Sequence, residues 1–267
     1  MIVAMLSVFA PTLIGLRFSN HIPSVASHEI DGVSRGLGVY YRDSCIVGEG
    51  MGIGAPIALL ERKAVFPLDV EDFESTGRLV RRFHLNGFSL KFLGRARADV
   101  PYKWIRSQLA PLYLRSSRFR PLFNYLMAAR TVVGIRSRYR RINGLGYVDV
   151  AYEANGDRVL VHVDASHLDA KKFLIANELD GHLFRELIID DTIRIPRISP
   201  WLEIRGSDAR IVAPTLGMSF RLRQIEGCSM FAGREVLGNR LNWAGFSYQP
   251  SKGVDSFGYE VVFEKND

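Results

Sequence analysis

A mainly β fold is what this sequence predicts: a large antiparallel β-sandwich, or barrel-like sandwich, carrying a short basic helical insertion. Three observations lead there. Short runs of β-branched and aromatic residues recur, separated by Gly, Asn, Asp, Ser and Pro, the pattern of strands joined by tight turns. No helix-period segment lies between successive runs, which excludes a βαβ architecture. One stretch, from 100 to about 130, changes to a helical period.

The elements follow in order. Residues 1–16 carry no charge and are read as a core strand ending at a turn. No Lys or Arg precedes the apolar run, as a signal peptide would need. Nor does any uncharged apolar run reach the ~18 residues required to cross a bilayer. Glycines at 36, 38, 48, 50, 52 and 54 do not have the spacing of a dinucleotide fingerprint or a P-loop. Alternating glycine instead leaves one strand face bare for close packing, with Glu49 standing among the glycines.

Asn86-Gly87, set between two alternating runs, predicts a hairpin turn. In the 100–130 stretch Phe119, Leu122, Phe123, Leu126 and Met127 form an apolar stripe at helical spacing. Pro101 and Pro121 fit first-turn positions of two helices, with Pro111 ending or kinking the first. Beyond it, residues 148–163 predict a hairpin around Asn155-Gly156-Asp157. A further hairpin is predicted over 173–189, turning at Asp180-Gly181. Residues 192–198 read as an edge strand, because Pro196 cannot donate to a ladder, with Ile193, Ile195 and Ile198 as core positions. Runs at 201–205, 209–212, 219–225 and 259–264 complete the series. The layout is an N-terminal β part (1–99), a basic helical insertion (100–141) and a C-terminal β part (142–267) sharing one core with the first.

The charge is concentrated. Between 100 and 147 stand ten cations and no Asp or Glu; taking those ten from the chain's net +7 leaves −3. Lys103, Arg106, Arg115, Arg118, Arg120, Arg136, Arg138, Arg140 and Arg141 are candidates for binding a polyanion, since the guanidinium fork suits phosphate and carboxylate. Interleaved aromatics could stack nucleic-acid bases or a sugar face. The plain alternative is a solvated face whose arginines pair with acids elsewhere in the chain.

Two clusters carry potential chemistry. Residues 177–182 gather Asn177, Glu178, Asp180 and His182 around one turn. Glu178 and His182 are the candidates for proton transfer, although a tight turn alone explains much of this grouping. Arg234, Asn239, Arg240, Asn242 and Trp243, joined by Trp201, resemble a sugar-binding rim in which a ring stacks and amides fix hydroxyls; Trp243 capping the core is the alternative. The two cysteines, Cys45 and Cys228, lack metal-site spacing. No serine or cysteine nucleophile motif is present, and no metal or cofactor is expected.

Function is not determined by this sequence. The leading expectation is recognition or processing of a carbohydrate, an acidic saccharide among the candidates, by a cytoplasmic protein. The alternative is a non-enzymatic protein that binds a polyanion such as nucleic acid through the arginine segment. A third expectation is an assembly role in a homo-oligomer.

Overall fold

Among the described residues of the computed structural model, sixteen strands pair into one antiparallel sheet, and three more form a small sheet beside it. The structure describes residues 15–23, 32–60, 63–93, 95–97, 135–195, 198, 202–236 and 242–266. The small sheet comprises β1 (Leu16–Ser19), β2 (Gly38–Tyr41) and β3 (Ser44–Cys45). The large one begins with β4 (Gly52–Leu60), β5 (Lys63–Ser75), β6 (Arg78–Leu93) and β7 (Ala96–Arg97). It continues with β8 (Ile135–Arg141), β9 (Tyr147–Asn155), β10 (Arg158–Asp164) and β11 (Phe173–Leu179). The C-terminal strands are β12 (Glu186–Ile189), β13 (Ile193–Ile195), β14 (Leu202–Glu203), β15 (Asp208–Ala213), β16 (Met218–Arg223), β17 (Cys228–Val236), β18 (Asn242–Pro250) and β19 (Ser256–Lys265).

The sheet order is β13-β12-β15-β16-β19-β10-β9-β6-β5-β4-β11-β18-β17-β14. In that order six strands separate β19 from β18, yet Tyr259 of β19 lies 4.7 Å from Tyr248 of β18, ring to ring. Phe220 of β16 similarly meets Phe246 of β18 at 5.3 Å. The sheet therefore curves until distant strands share an interior, which holds the main apolar core. A second, smaller cluster of Val33, Met51, Ala55, Ile57, Leu174 and Ala176 lies on the opposite face of β4 and β11. Among the described residues there is no helix, hence none long and apolar enough to cross a membrane.

Several expected elements are corrected. Asn86-Gly87 is not a turn but lies inside the sixteen-residue β6. The ladder to β5 slips around Pro67, where the Leu68 N–H donates to Asn86 Oδ1 at 3.1 Å. A Cβ on Gly87 would come within 2.3 Å of the Leu68 side chain. Asn-Gly here accommodates a bulge. The turn before β6 is Thr76-Gly77, both at positive φ, as a two-residue hairpin favours. Residues 173–179 and 186–189 do not pair with each other: β11 joins β4 and β18, while β12 joins β13 and β15. Ile193 is 55% exposed on the edge strand β13 rather than in the core. The hairpin of β9 and β10 does form, closed by Gly156-Asp157.

Residues 135–141, placed by their charge in a helical insertion, form β8 and pair with β6. The predicted helices over 100–130, the strand over 1–14 and Pro196 lie outside the described residues.

Candidate functional site

Period-two alternation sorts the residues of β11 onto two faces. Ile175, Asn177 and Leu179 stand opposite Tyr248, Phe246 and Ala244 of β18 on the main-core face. Leu174, Ala176 and Glu178 take the other, with the smaller cluster. Glu178 is thereby a carboxyl group on an otherwise apolar face, and only 7% exposed.

The neighbouring strand is shaped around it. Ala176 pairs with Ala55 and Glu178 with Gly52, so Ile53 and Gly54 of β4 together oppose Asn177 alone. Such a bulge needs unusual backbone geometry, supplied by Gly52 and Gly54 at φ +74° and +77°. Before the bulge, residues 47–50 form a turn closed by Gly50 N–H donating to Val47 O. That turn rests on Glu178: a Cβ on Gly50 would sit 2.8 Å from the Glu178 carbonyl. The glycines are thus explained by close approach and left-handed backbone, not by a bare strand face.

Glu178 Oε2 accepts the Met51 N–H at 3.0 Å. Burial pushes the Glu178 carboxyl up to about 7; the Met51 N–H and Arg35 oppose this, and nearby Glu235 adds to it. The Arg35 guanidinium, itself lowered by burial, donates to Gly48 O at 2.6 Å. Across β18, Glu178 faces Gly245, which in turn faces Gly233 of β17; two residues along, Trp243 faces Glu235. Glu178, Trp243 and Glu235 therefore share one face of the sheet. A carboxyl that titrates near neutrality can both hold and release a proton at physiological pH.

The other predicted residues fall on the opposite face and its rim. Asp180 Oδ1 accepts from the His182 N–H at 2.7 Å and from Asn242 Nδ2 at 2.8 Å. Arg234 Nε donates to Gly181 O at 2.8 Å. The structure thus gathers Asp180, Gly181, Arg234 and Asn242 into one hydrogen-bonded corner. The His182 side chain is exposed and has no hydrogen-bond or ion-pair partner among the described residues, Glu178 included. Trp243 is buried.

Trp201, Asn239, Arg240, Lys103, Arg106, Arg115, Arg118 and Arg120 lie outside the described residues. Arg136 stands on β8 opposite Phe92. Arg138 and Arg140 are exposed on the same strand. Arg141 is held by Asp69 in a two-pronged ion pair, one contact at 2.7 Å, and Asn86 donates to the same carboxylate at 2.6 Å. Cys45 and Cys228 are free thiols, the latter pushed up to about 11 by burial. Arg35 escaped the sequence reading because a lone arginine between Ser34 and Gly36 carries no local signal.

No family model and no curated protein matches the chain. Among solved structures it is similar to HI1317, at 7% identity and a TM-score of 0.34, over 73% of this chain. The match spans 63% of the HI1317 chain.

Proposed function

We propose that this protein recognises and processes a carbohydrate, with Glu178 as the group that transfers a proton. The observation that carries the reading is the Glu178 carboxyl, pushed up to about 7 on a buried sheet face. Sugar-processing chemistry commonly uses two carboxyl groups of which one is kept protonated by its surroundings. Glu235, on the same face and felt electrostatically by Glu178, is the second carboxyl. Trp243 offers that face an aromatic surface, and Arg35 offers a cation suited to a uronate carboxylate. The architecture that goes with this reading is a sandwich, and the ring contacts between β16 or β19 and β18 support it.

The experiment is a thermal-shift screen at low and high salt, using neutral sugars, uronate oligosaccharides, nucleotides and single-stranded nucleic acid. Stabilisation by a saccharide that survives high salt is expected. A turnover assay on that saccharide should then lose at least 100-fold in Glu178→Gln, the scale of a general acid–base contribution. Stabilisation by polyanions alone, vanishing as salt rises, is the signature of charge-driven binding and would transfer the function to the arginine segment.

A further inference from the structure

The fully buried residue next to Glu178 has its own set of bonds. Asn177 is 0% exposed, and its Oδ1 accepts two donors: the Gly54 N–H at 3.1 Å and the Tyr259 O–H at 2.8 Å. The first is a backbone donor of the bulged segment of β4, where two residues face one and ladder bonding is disrupted. The second comes from β19, a strand that is no sheet neighbour of β11. A third tie holds the bulge from the same side, the Tyr152 O–H donating to Ile53 O at 3.0 Å. One residue before the bulge, Met51 gives its N–H to Glu178.

From this geometry we infer that Asn177 is a positioning residue: by fixing the Gly52–Gly54 bulge it holds the 47–51 segment over Glu178 and keeps that carboxyl out of water. The inference rests on the reading of Glu178 as the proton-transfer group. The chain of contacts is short and each link is named: Tyr259 orients the Asn177 amide, the amide holds Gly54, and the bulge sets Met51 and the turn on Glu178. The charged groups acting on Glu178 are Arg35 from the segment before β2 and Glu235 from β17; the covering turn itself carries buried Glu49, which acts on Arg35. Glu235 stands on a strand that Asn177 does not touch, whereas Arg35 is tied to the same 47–51 segment through Gly48 O.

The sign of the effect follows. Without the Asn177 acceptor, Gly54 N–H must find another partner, the bulge relaxes, and the 47–51 segment lifts from Glu178. Losing the Met51 N–H would raise the affinity of Glu178 for its proton. Admitting water lowers it, and burial is the larger of the two influences. The titration of Glu178 therefore moves down, toward the ordinary carboxyl range.

The test follows glutamate side-chain carboxyl carbons by NMR as a function of pH in the full chain, with Glu178→Gln assigning the signal. Asn177→Leu removes the acceptor at nearly constant volume, and Tyr259→Phe removes one donor while keeping the ring. Far-UV circular dichroism shows that each variant is folded; if Asn177→Leu is not, Tyr259→Phe decides alone. The expected result is a Glu178 midpoint near 7 in the parent and lower by about one pH unit in the variants. A parent midpoint near 7 that stays put in folded variants overturns the positioning role and leaves the Glu178 reading standing. A parent midpoint in the ordinary carboxyl range overturns the Glu178 reading, and this inference with it.

Discussion

A single carboxyl whose proton affinity is raised by folding makes the stability of the whole chain depend on pH. Glu178 goes from an ordinary value of 4.5 to about 7, so between those limits the folded state binds a proton that the unfolded chain has released. Stability contributed by that proton is fully present below pH 4.5 and is lost as pH rises through 7. At 1.36 kcal/mol per pH unit the loss amounts to about 3 kcal/mol. Urea unfolding at pH 5 and pH 8 should therefore show a larger drop for the parent than for Glu178→Gln, by about that amount. Equal drops would mean that Glu178 is already ionised at pH 5 in the folded protein. The sequence pointed to Glu178 through the crowd of polar residues around Asp180. It could not show that alternation turns Glu178 and Trp243 to one face and Arg234 and Asn242 to the other, because that depends on which strands pair. Arg35 and Tyr259 reach the site from remote parts of the chain, and no local pattern announces either.

At the level of strands and turns, glycine was the most misleading signal, since its uses look alike in sequence. Asn86-Gly87 has the composition of a hairpin turn and serves a bulge between β5 and β6. Gly156-Asp157 does close a hairpin, because β9 and β10 on either side of it pair in unbroken register. The physical distinction lies in what a side chain would meet. A Cβ on Gly245 would stand 2.0 Å from Asn177 O, between β18 and β11; Gly253, at φ +89°, has nothing within 4 Å. Gly253→Ala should therefore cost only the backbone strain of a left-handed residue, about 1 kcal/mol. Gly245→Ala must in addition push β11 and β18 apart, and should cost about 3 kcal/mol, the upper end of overpacking. Chemical denaturation of the pair checks this. Similar costs would show that β11 and β18 can separate without penalty, contrary to the close approach seen here.

For the whole molecule, the mainly antiparallel β character was legible from strand runs and turn residues, whereas the strand order was not. The pairings β4 with β11 and β6 with β9 join residues far apart in the chain, and many pairings satisfy the same alternation. How the small sheet joins the large one was equally hidden: Leu37, just before β2, bridges Ile53 of β4, Phe18 of β1 packs on Phe263 of β19, and one buried arginine adds a set of polar ties. Arg81 of β6 gives Nε and Nη2 to the Asp72 carboxylate at 2.6 and 2.7 Å. It gives Nη1 to the carbonyls of Arg35 and Gly36 at 2.7 and 3.0 Å, and Nη2 to that of Asn20 at 2.6 Å. Asn20 follows β1 and Gly36 precedes β2, so a single guanidinium ties both to the β5–β6 ladder. With five N–H donors in a fixed plane, it meets these acceptors as the three donors of a lysine could not. Arg81→Met leaves three carbonyls without this donor, while exposed Asp72 keeps water and the Asn20 amide, and should cost about 3 kcal/mol. Asp72→Ala leaves the carbonyl bonds in place and should cost less. Because most of what Arg81 holds belongs to the small sheet, the loss should be local. Hydrogen exchange in Arg81→Met should rise at the amides of β1 and β2 while β15, β16 and β19 keep their protection. A uniform rise across both sheets would instead make the small sheet part of one cooperative unit with the large one, with Arg81 supporting the core rather than the docking.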